Sequence, residues 1–413
     1  MFEVAGAADG RLVARASTQP ENRAMRSTTI SSVTALLAAA VLATAACSEA
    51  VEEPTGVPSS YTPPTRAEIL QGALEAGLRA VHGVGASAAV ITDDGEMWTG
   101  AAGISHPGTP VTPDMLFDMG SAGKNLFASL TLKLVEEGAL SLEDPIGKYL
   151  DIPWPNVDQN ITIRQCLDHT SGLYMLIEHP MFGGPYESID FDRCWTVDEI
   201  FTTLSDTPYF PPGGGWHYTQ AGYILGTLIV EEVTGSTTPV EIQQRLLDPL
   251  GIDGMLLDLS EPTPSRFEIA HNWVDTDGDG ERKDVSHHSR EWIRSNSRIL
   301  YYTRAGDFAL WTHALFSGDV LQPDSLQEML RFHASLPGKE IIDGYGLGAA
   351  RLYVDGVELW GHSGSIPGYG FVAYHSPQHG VTVVVMMNYD PDPRYEEYPG
   401  EIFLRLFAAA TRL

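Results

Sequence analysis

The chain is 413 residues long and 43% hydrophobic, enough for a large core in one or two domains. Its 54 Asp and Glu outnumber 25 Lys and Arg, giving a formal net charge of -29. A surface this acidic repels polyanions, which excludes nucleic-acid partners and polybasic attachment to anionic lipid. It fits either salty surroundings, where counterions screen the self-repulsion, or an ordinary acidic secreted protein.

The first segments belong to export rather than to the fold. Residues 1–24 read as an upstream mis-start, and Met25-Arg26 opens a basic stretch ahead of an apolar run at 33–42. Thr44-Ala45-Ala46-Cys47 then sets small residues before a cysteine. Basic, apolar and small segments in that order form a secretory signal peptide, here 25–46, and the apolar run is too short to span a bilayer permanently. The run ending in Cys47 resembles a bacterial lipoprotein processing site, with Thr44 where leucine is usual. Lipidation of Cys47 leaves 47–65, rich in Pro, Ser, Thr and Glu, as a flexible tether; cleavage near Ala46 without lipid is the alternative. Both routes make the protein extracytoplasmic: a periplasmic or cell-surface lipoprotein, else a secreted protein.

Beyond the tether, 66–413 read as the folded domain, and 66–81 has the periodicity of an amphipathic helix. Residues 87–92 and 97–101 predict strands joined through Asp93-Asp94-Gly95, a hairpin signal. After Ser121 a helix is marked by Leu126, Phe127, Leu130 and Leu134, with Gly138 as its stop. Helical periodicity and long irregular loops dominate to about 340. Strands return at 346–353, 357–361, 370–375 and 381–387, and a helix closes the chain at about 401–410. Strands at both chain ends with helices between predict an α/β (α+β) fold, in which one sheet is built from the two termini and packed on a helical insertion at about 125–340. No internal repeat is present.

Three short sequences carry chemistry. Ser121 and Lys124 lie three residues apart, which on a helix places hydroxyl and amine on one face. A serine needs a nearby base to become a nucleophile, and a partly desolvated lysine can serve. The positive end of the same helix favours a developing oxyanion. Next, Gly213-Gly214-Gly215-Trp216-His217-Tyr218-Thr219-Gln220 delivers Tyr218 just ahead of an apolar helix, where a phenol can relay a proton to a leaving group. Last, Trp360-Gly361-His362-Ser363-Gly364-Ser365 lies between two strands, where small residues let an extended substrate approach backbone groups. Taken singly, each has a bland alternative: Ser121 a helix cap, Lys124 a solvated charge, Tyr218 a core aromatic, His362 a structural imidazole.

Other motifs fail or stay open. A nucleotide-binding loop would need Gly in place of Asp118 and Ser or Thr in place of Asn125, and Gly361 to Ser365 lacks the closing glycine of a hydrolase elbow. Cys166 and Cys194 could pair outside the cytoplasm, but Cys166 sits with Ile163 and Leu167 in an apolar helical pattern that suits a buried free thiol. No Cys/His group has zinc spacing. Asp275, Asp277 and Asp279 open like a calcium loop, yet Ser286 stands where the bidentate glutamate belongs, so an acidic surface turn competes with a calcium site.

In this order and spacing the three elements resemble the serine β-lactamase and penicillin-binding protein superfamily. The likeness is to its class C-like branch of class C β-lactamases, D-alanyl-D-alanine carboxypeptidases, D-aminopeptidases and family VIII esterases. Leu140 to Pro145, Leu167-Asp168-His169-Thr170-Ser171-Gly172-Leu173 and Gly344-Tyr345-Gly346-Leu347-Gly348 agree, and the resemblance covers roughly 66–411. It implies an antiparallel β-lactamase/transpeptidase-like sheet with flanking helices, an all-helical subdomain, and the site between them. It implies Ser121 as acylated nucleophile, Lys124 as general base, Tyr218 as second proton shuttle, and His362 in the place of the basic strand residue. Gly364 would keep the strand open, and the Ser121 and Ser365 N–H groups would form the oxyanion hole. His169 would be scaffolding.

One departure bears on substrate. The second motif is usually Tyr-x-Asn, and here Gln220 holds the third position, moving the amide out by one methylene. With His362 in place of lysine, this leans towards an ester or peptide hydrolase. The expectation is a monomeric serine hydrolase without metal or organic cofactor, acting on a small-molecule ester, peptide or β-lactam substrate. A true β-lactamase, or a non-hydrolytic binder of penicillin or cell-wall ligands, is the alternative.

Overall fold

Thr65 caps the first helix, α1 (Arg66–Ala80): its side chain accepts from the Glu68 N–H, and the Glu68 carboxylate accepts from the Thr65 N–H. The computed structural model describes residues 64–178, 193, 195–203, 208–257, 263–286, 298–299, 301–334, 342–389 and 400–412. The expected signal peptide, the lipidation site Cys47, the tether up to 63 and Cys194 lie outside them.

The expected hairpin follows as β1 (Gly85–Ile91) and β2 (Met97–His106), then β3 (Thr109–Pro110) and β4 (Phe117–Asp118). A 3-10 turn, Gly120–Ala122, leads into α2 (Gly123–Glu136), and Gly138 follows it at φ 72°, a left-handed position suited to glycine. The middle holds α3 (Ile163–Leu167), α4 (Val197–Thr203), α5 (Ala221–Thr234), α6 (Thr238–Ile242), α7 (Ala305–Ser317) and α8 (Pro323–Met329). Among them β5 (Trp273–Val274) pairs with β6 (Lys283–Asp284), and β7 (Tyr302–Thr303) with β4. The chain ends with β8 (His333–Ala334), β9 (Gly344–Tyr345), β10 (Ala350–Val354), β11 (Val357–Ile366), β12 (Tyr369–Ser376), β13 (Val381–Met387) and α9 (Glu401–Ala410).

Among the described residues the main sheet has nine antiparallel strands in the order β3-β2-β1-β13-β12-β11-β10-β9-β8. Strands from the two ends of the domain meet inside it, where β1 pairs with β13 and Ala88 lies opposite Val385. Side chains alternate between faces, as the period of a strand requires. Val383, Val385 and Met387 pack with Leu70, Leu74, Ile402 and Phe403 of α1 and α9. Val384 and Met386 join Phe127 of α2 and Phe308, Trp311 and Leu315 of α7 on the other face. Both faces of the central strands are therefore dry, and each such aliphatic side chain contributes about 1.5–3 kcal/mol of burial.

Several strand boundaries differ from expectation, among them that of β2, which runs to His106 and not 101. Residues 346–353 do not form one strand: β9 and β10 are separated by a turn with Gly348 at φ 64°, where a Cβ would lie 2.7 Å from the Lys124 carbonyl oxygen. The turn exists because this backbone presses on α2. In contrast, β11 does not stop at 361 but runs to Ile366, so His362 to Ser365 lie inside a strand. Small polar residues read locally as loop chemistry; the neighbouring strand overrides that preference.

Candidate active site

The turn carrying Ser121 is built from its own sequence. Asp118, at the end of β4, accepts the Gly120 N–H at 2.6 Å, and Gly120 adopts φ 51°. Ser121 therefore sits on the 3-10 turn just before α2, not in the first α-helical turn as its spacing predicts. Lys124 follows one turn on, is 0% exposed, and its Nζ lies 3.0 Å from Ser121 Oγ. Asn125 pins the helix start by donating to the Gly348 carbonyl at 3.2 Å and accepting from Trp311 Nε1 at 3.0 Å. The Asp118 carboxyl is fully buried, which pushes it up to about 7 against the opposing effect of the Gly120 N–H.

The second element reaches the same place through His169. This buried residue holds φ 66°, uncommon for a side chain with a Cβ. Its carbonyl accepts the His217 N–H at 3.0 Å, and its Nδ1 accepts the Thr219 N–H at 3.2 Å. The Tyr218 ring, held between those contacts, lies 4.2 Å from the His169 ring, centroid to centroid. Lys124 Nζ is 4.8 Å from the Tyr218 centroid and 5.4 Å from that of Tyr223. Gln220 precedes α5 without capping it through its side chain, and its Oε1 is buried with no hydrogen-bond partner.

The third element is β11. A Cβ on Gly364 would lie 2.0 Å from the Met119 carbonyl oxygen and 2.8 Å from the Ser121 nitrogen. A Cβ on Gly120 would lie 2.7 Å from the Ser365 nitrogen. Two backbones thus meet where only glycine fits, and they bring the Ser121 and Ser365 segments side by side. His362 is buried, with Nδ1 against the Ser363 carbonyl and Nε2 2.9 Å from the Tyr345 hydroxyl. A carbonyl only accepts, so Nδ1 carries a proton, and Nε2 shares a hydrogen bond with the Tyr345 hydroxyl.

Ser121, Lys124, Tyr218, His362, Gly364 and Ser365 are thereby gathered from distant parts of the chain. Sequence reasoning gave no role to Tyr345 or Tyr223, although both pack under the site. Tyr345 is buried, lies 4.6 Å from the His169 ring, and burial lifts its phenol well above the usual range. The available signal was a tyrosine between glycines at 344 and 346, a polar ring where the backbone must come close. Beside the Tyr218 loop, a cleft of about 870 Å³ is lined by Trp154, Val157, Leu173, Tyr209, Phe210 and Pro211. Tyr209 stacks on His217 at 3.7 Å, so the cleft shares a wall with that loop.

The remaining candidates lie elsewhere. Asp275, Asp277 and Asp279 bring one oxygen each within 4.8 Å of one another. The Asp275 carboxylate accepts the Gly278 and Gly280 N–H groups at 2.8 and 2.9 Å, and Lys283 pairs with Asp277 at 2.5 Å. Those bonds shape the turn from within the cluster. Cys166 is a buried free thiol whose proton is held by desolvation.

The fold and these three meeting elements define a class, and comparison with known proteins places the chain in it. The pattern of the family described as Beta-lactamase matches residues 70–405, well over half of the chain, so the protein belongs to the beta-lactamase family of hydrolases. It is similar to esterase EstB of Burkholderia gladioli, 30% identical over 216 residues that cover 49% of this chain and 54% of that one. It is also similar to penicillin-binding protein 4 of Amycolatopsis lactamdurans, 27% identical over 332 residues, 75% of this chain and 82% of that one. Among solved structures, a D-stereospecific amidohydrolase from Streptomyces sp. superposes with a TM-score of 0.67 at 27% identity, over 84% of this chain and 98% of that one. The chain spans between about half and two thirds of the length of the first curated relatives it matches.

Proposed function

We propose that the protein is a serine hydrolase that acts through an acyl-Ser121 intermediate on ester or amide, peptide-like, substrates. The observation that carries this is Lys124 Nζ, buried and 3.0 Å from Ser121 Oγ. Ser121 Oγ adds to the substrate carbonyl carbon while Lys124 takes its proton. The oxyanion that forms lies between the N–H groups of Ser121 and Ser365. Tyr218, beside Lys124, passes a proton to the departing alcohol or amine, and water then releases the acid and restores Ser121. His362 keeps both ring nitrogens within the protein and supports Tyr345 and the strand. The names of two relatives, an esterase and a D-stereospecific amidohydrolase, agree with an ester or amide carbonyl as the target. The signal peptide expected from the sequence, ending in a lipidated Cys47 or in cleavage near Ala46 without lipid, supports an activity outside the cytoplasm, at the cell surface or secreted.

A second reading is a penicillin-reactive or cell-wall-ligand-binding protein that acylates and stalls. The unpartnered Gln220 Oε1 favours it, because a misplaced amide weakens contact with an amide substrate. Hydrolysis of p-nitrophenyl butyrate by the full chain, beside Ser121→Ala, separates the two. The hydrolase reading expects turnover that the substitution lowers at least about a thousandfold. A folded protein with no turnover, but with a stable penicillin adduct by mass, would establish the stalled form.

A further inference from the structure

Tyr218 is held by the Asp168-His169 turn, and that turn is held in turn by two neighbouring residues of the sheet. His333 on β8 and Tyr345 on β9 are cross-strand partners, and β8 is the outermost strand on that side among the described residues. Tyr345 packs on the His169 ring at 4.6 Å. His333 Nε2 lies 3.0 Å from Asp168 Oδ2. Asp168 is 5% exposed, and its other oxygen accepts the Thr170 N–H at 3.0 Å and the Thr170 hydroxyl at 2.6 Å. Two bonds therefore shape the turn locally, and the third fastens it to the sheet. His169, the next residue, keeps its left-handed backbone and presents its ring to Tyr218 at 4.2 Å.

We propose that His333 is a positioning residue for Tyr218, acting through Asp168 and the His169 ring to fix the phenol relative to the sheet that carries β11. The inference rests on the acyl-serine reading above. Its physical content is distance: the substrate carbonyl is held at the Ser365 N–H of the sheet, whereas Tyr218 belongs to the helical part, and proton transfer to the leaving group requires the two to keep register to within a fraction of an ångström. A bond between the outer strand and the base of the tyrosine turn closes that gap. The groups acting on His333 are Asp168, whose carboxylate raises its proton affinity, and Arg164, which opposes it; Arg164 is itself paired with Glu143 and Glu328. Arg331 also pairs with Glu328 at 3.0 Å. Proton affinity raised in the folded state means the charged pair is intact at low pH and loses its charge as pH rises through the His333 titration.

The test uses the full chain and ethyl butyrate, whose alkoxide leaving group must take a proton as it departs, with His333→Ala and His333→Gln each made alone and with Tyr218→Phe. His333→Ala is expected to lower kcat about five- to tenfold with KM changed less than about twofold, and to cost nothing further in the Tyr218→Phe background. His333→Gln keeps a neutral donor, so it guards against a folding defect. The ratio of wild-type to His333→Gln kcat should fall towards one as pH rises. Equal losses in both backgrounds, no loss in the wild type, or a ratio flat with pH overturns the inference and leaves the hydrolase reading standing. Turnover that survives Ser121→Ala overturns the hydrolase reading itself.

Discussion

Asp118 shows how a single side chain can serve a site without entering its chemistry. One oxygen shapes the Gly120 turn; the other is buried without a partner. A carboxylate in that position lacks the solvation its charge needs, so its proton stays on up to about 7 instead of the ordinary 3.8. Below about 4 both folded and unfolded chains hold this proton, and it has no effect on stability. Between about 4 and 7 only the folded chain holds it, so stability falls as pH rises, and above 7 the whole penalty is present. Asp118→Asn keeps an acceptor for Gly120 and cannot ionise. Its melting temperature should therefore lack the decline expected of the wild type across this window. Parallel melting curves for the two proteins from pH 4 to 8 would contradict the assignment. The substitution should lower stability at acid pH by about 1–3 kcal/mol, because the amide carries two donor hydrogens without a partner where the protonated carboxyl carries one.

At the scale of elements, the decisive contact is between β11 and the 3-10 turn ahead of α2. Neither element forms a site alone. The strand supplies N–H groups that its pairing with β12 holds in line, and the turn supplies the hydroxyl. They meet without side chains between them: a Cβ at 364 would overlap the Met119 carbonyl at 2.0 Å. Gly364→Ala must push the strand and turn apart, which widens the space between the Ser121 and Ser365 nitrogens. For an oxyanion held by both, the expected result is a loss of about a hundredfold or more in kcat. The secondary structure by circular dichroism should be retained. Near-normal kcat in this variant would mean that the oxyanion is held elsewhere.

At the scale of the whole molecule, acidic residues outnumber basic ones about twofold. With a net charge of -29, self-repulsion opposes compaction unless ions screen it. Screening length falls from about 30 Å at 0.01 M salt to about 8 Å at 0.15 M. The melting temperature should rise by a few degrees between low salt and 0.5 M NaCl, and most of the rise should come below about 0.2 M. No change across that range would mean that the acidic residues are too dispersed to repel one another appreciably. Among the described residues no helix is long and apolar enough to cross a membrane.

The local features were legible from the chain itself. The Ser121–Lys124 spacing, the helix that follows, the hairpin and the hydrophobic runs of the terminal strands all rest on interactions within a few residues, where periodicity and turn chemistry are informative. The order of the three motifs was enough to indicate the family, and the strand patterns at both ends indicated the shared sheet. Other features had no local signature. His362 to Ser365 read as a loop because their small polar side chains resemble turn residues, yet pairing with β12 makes them strand. Tyr345 was a tyrosine among glycines until β9 brought it under His362 and His169. Gly348 became a turn because α2 lies against it, and His333 met Asp168 across 165 residues of sequence. In each case the contact joins segments far apart in the chain, and its energy comes from burial that exists only once the sheet has closed on the helices.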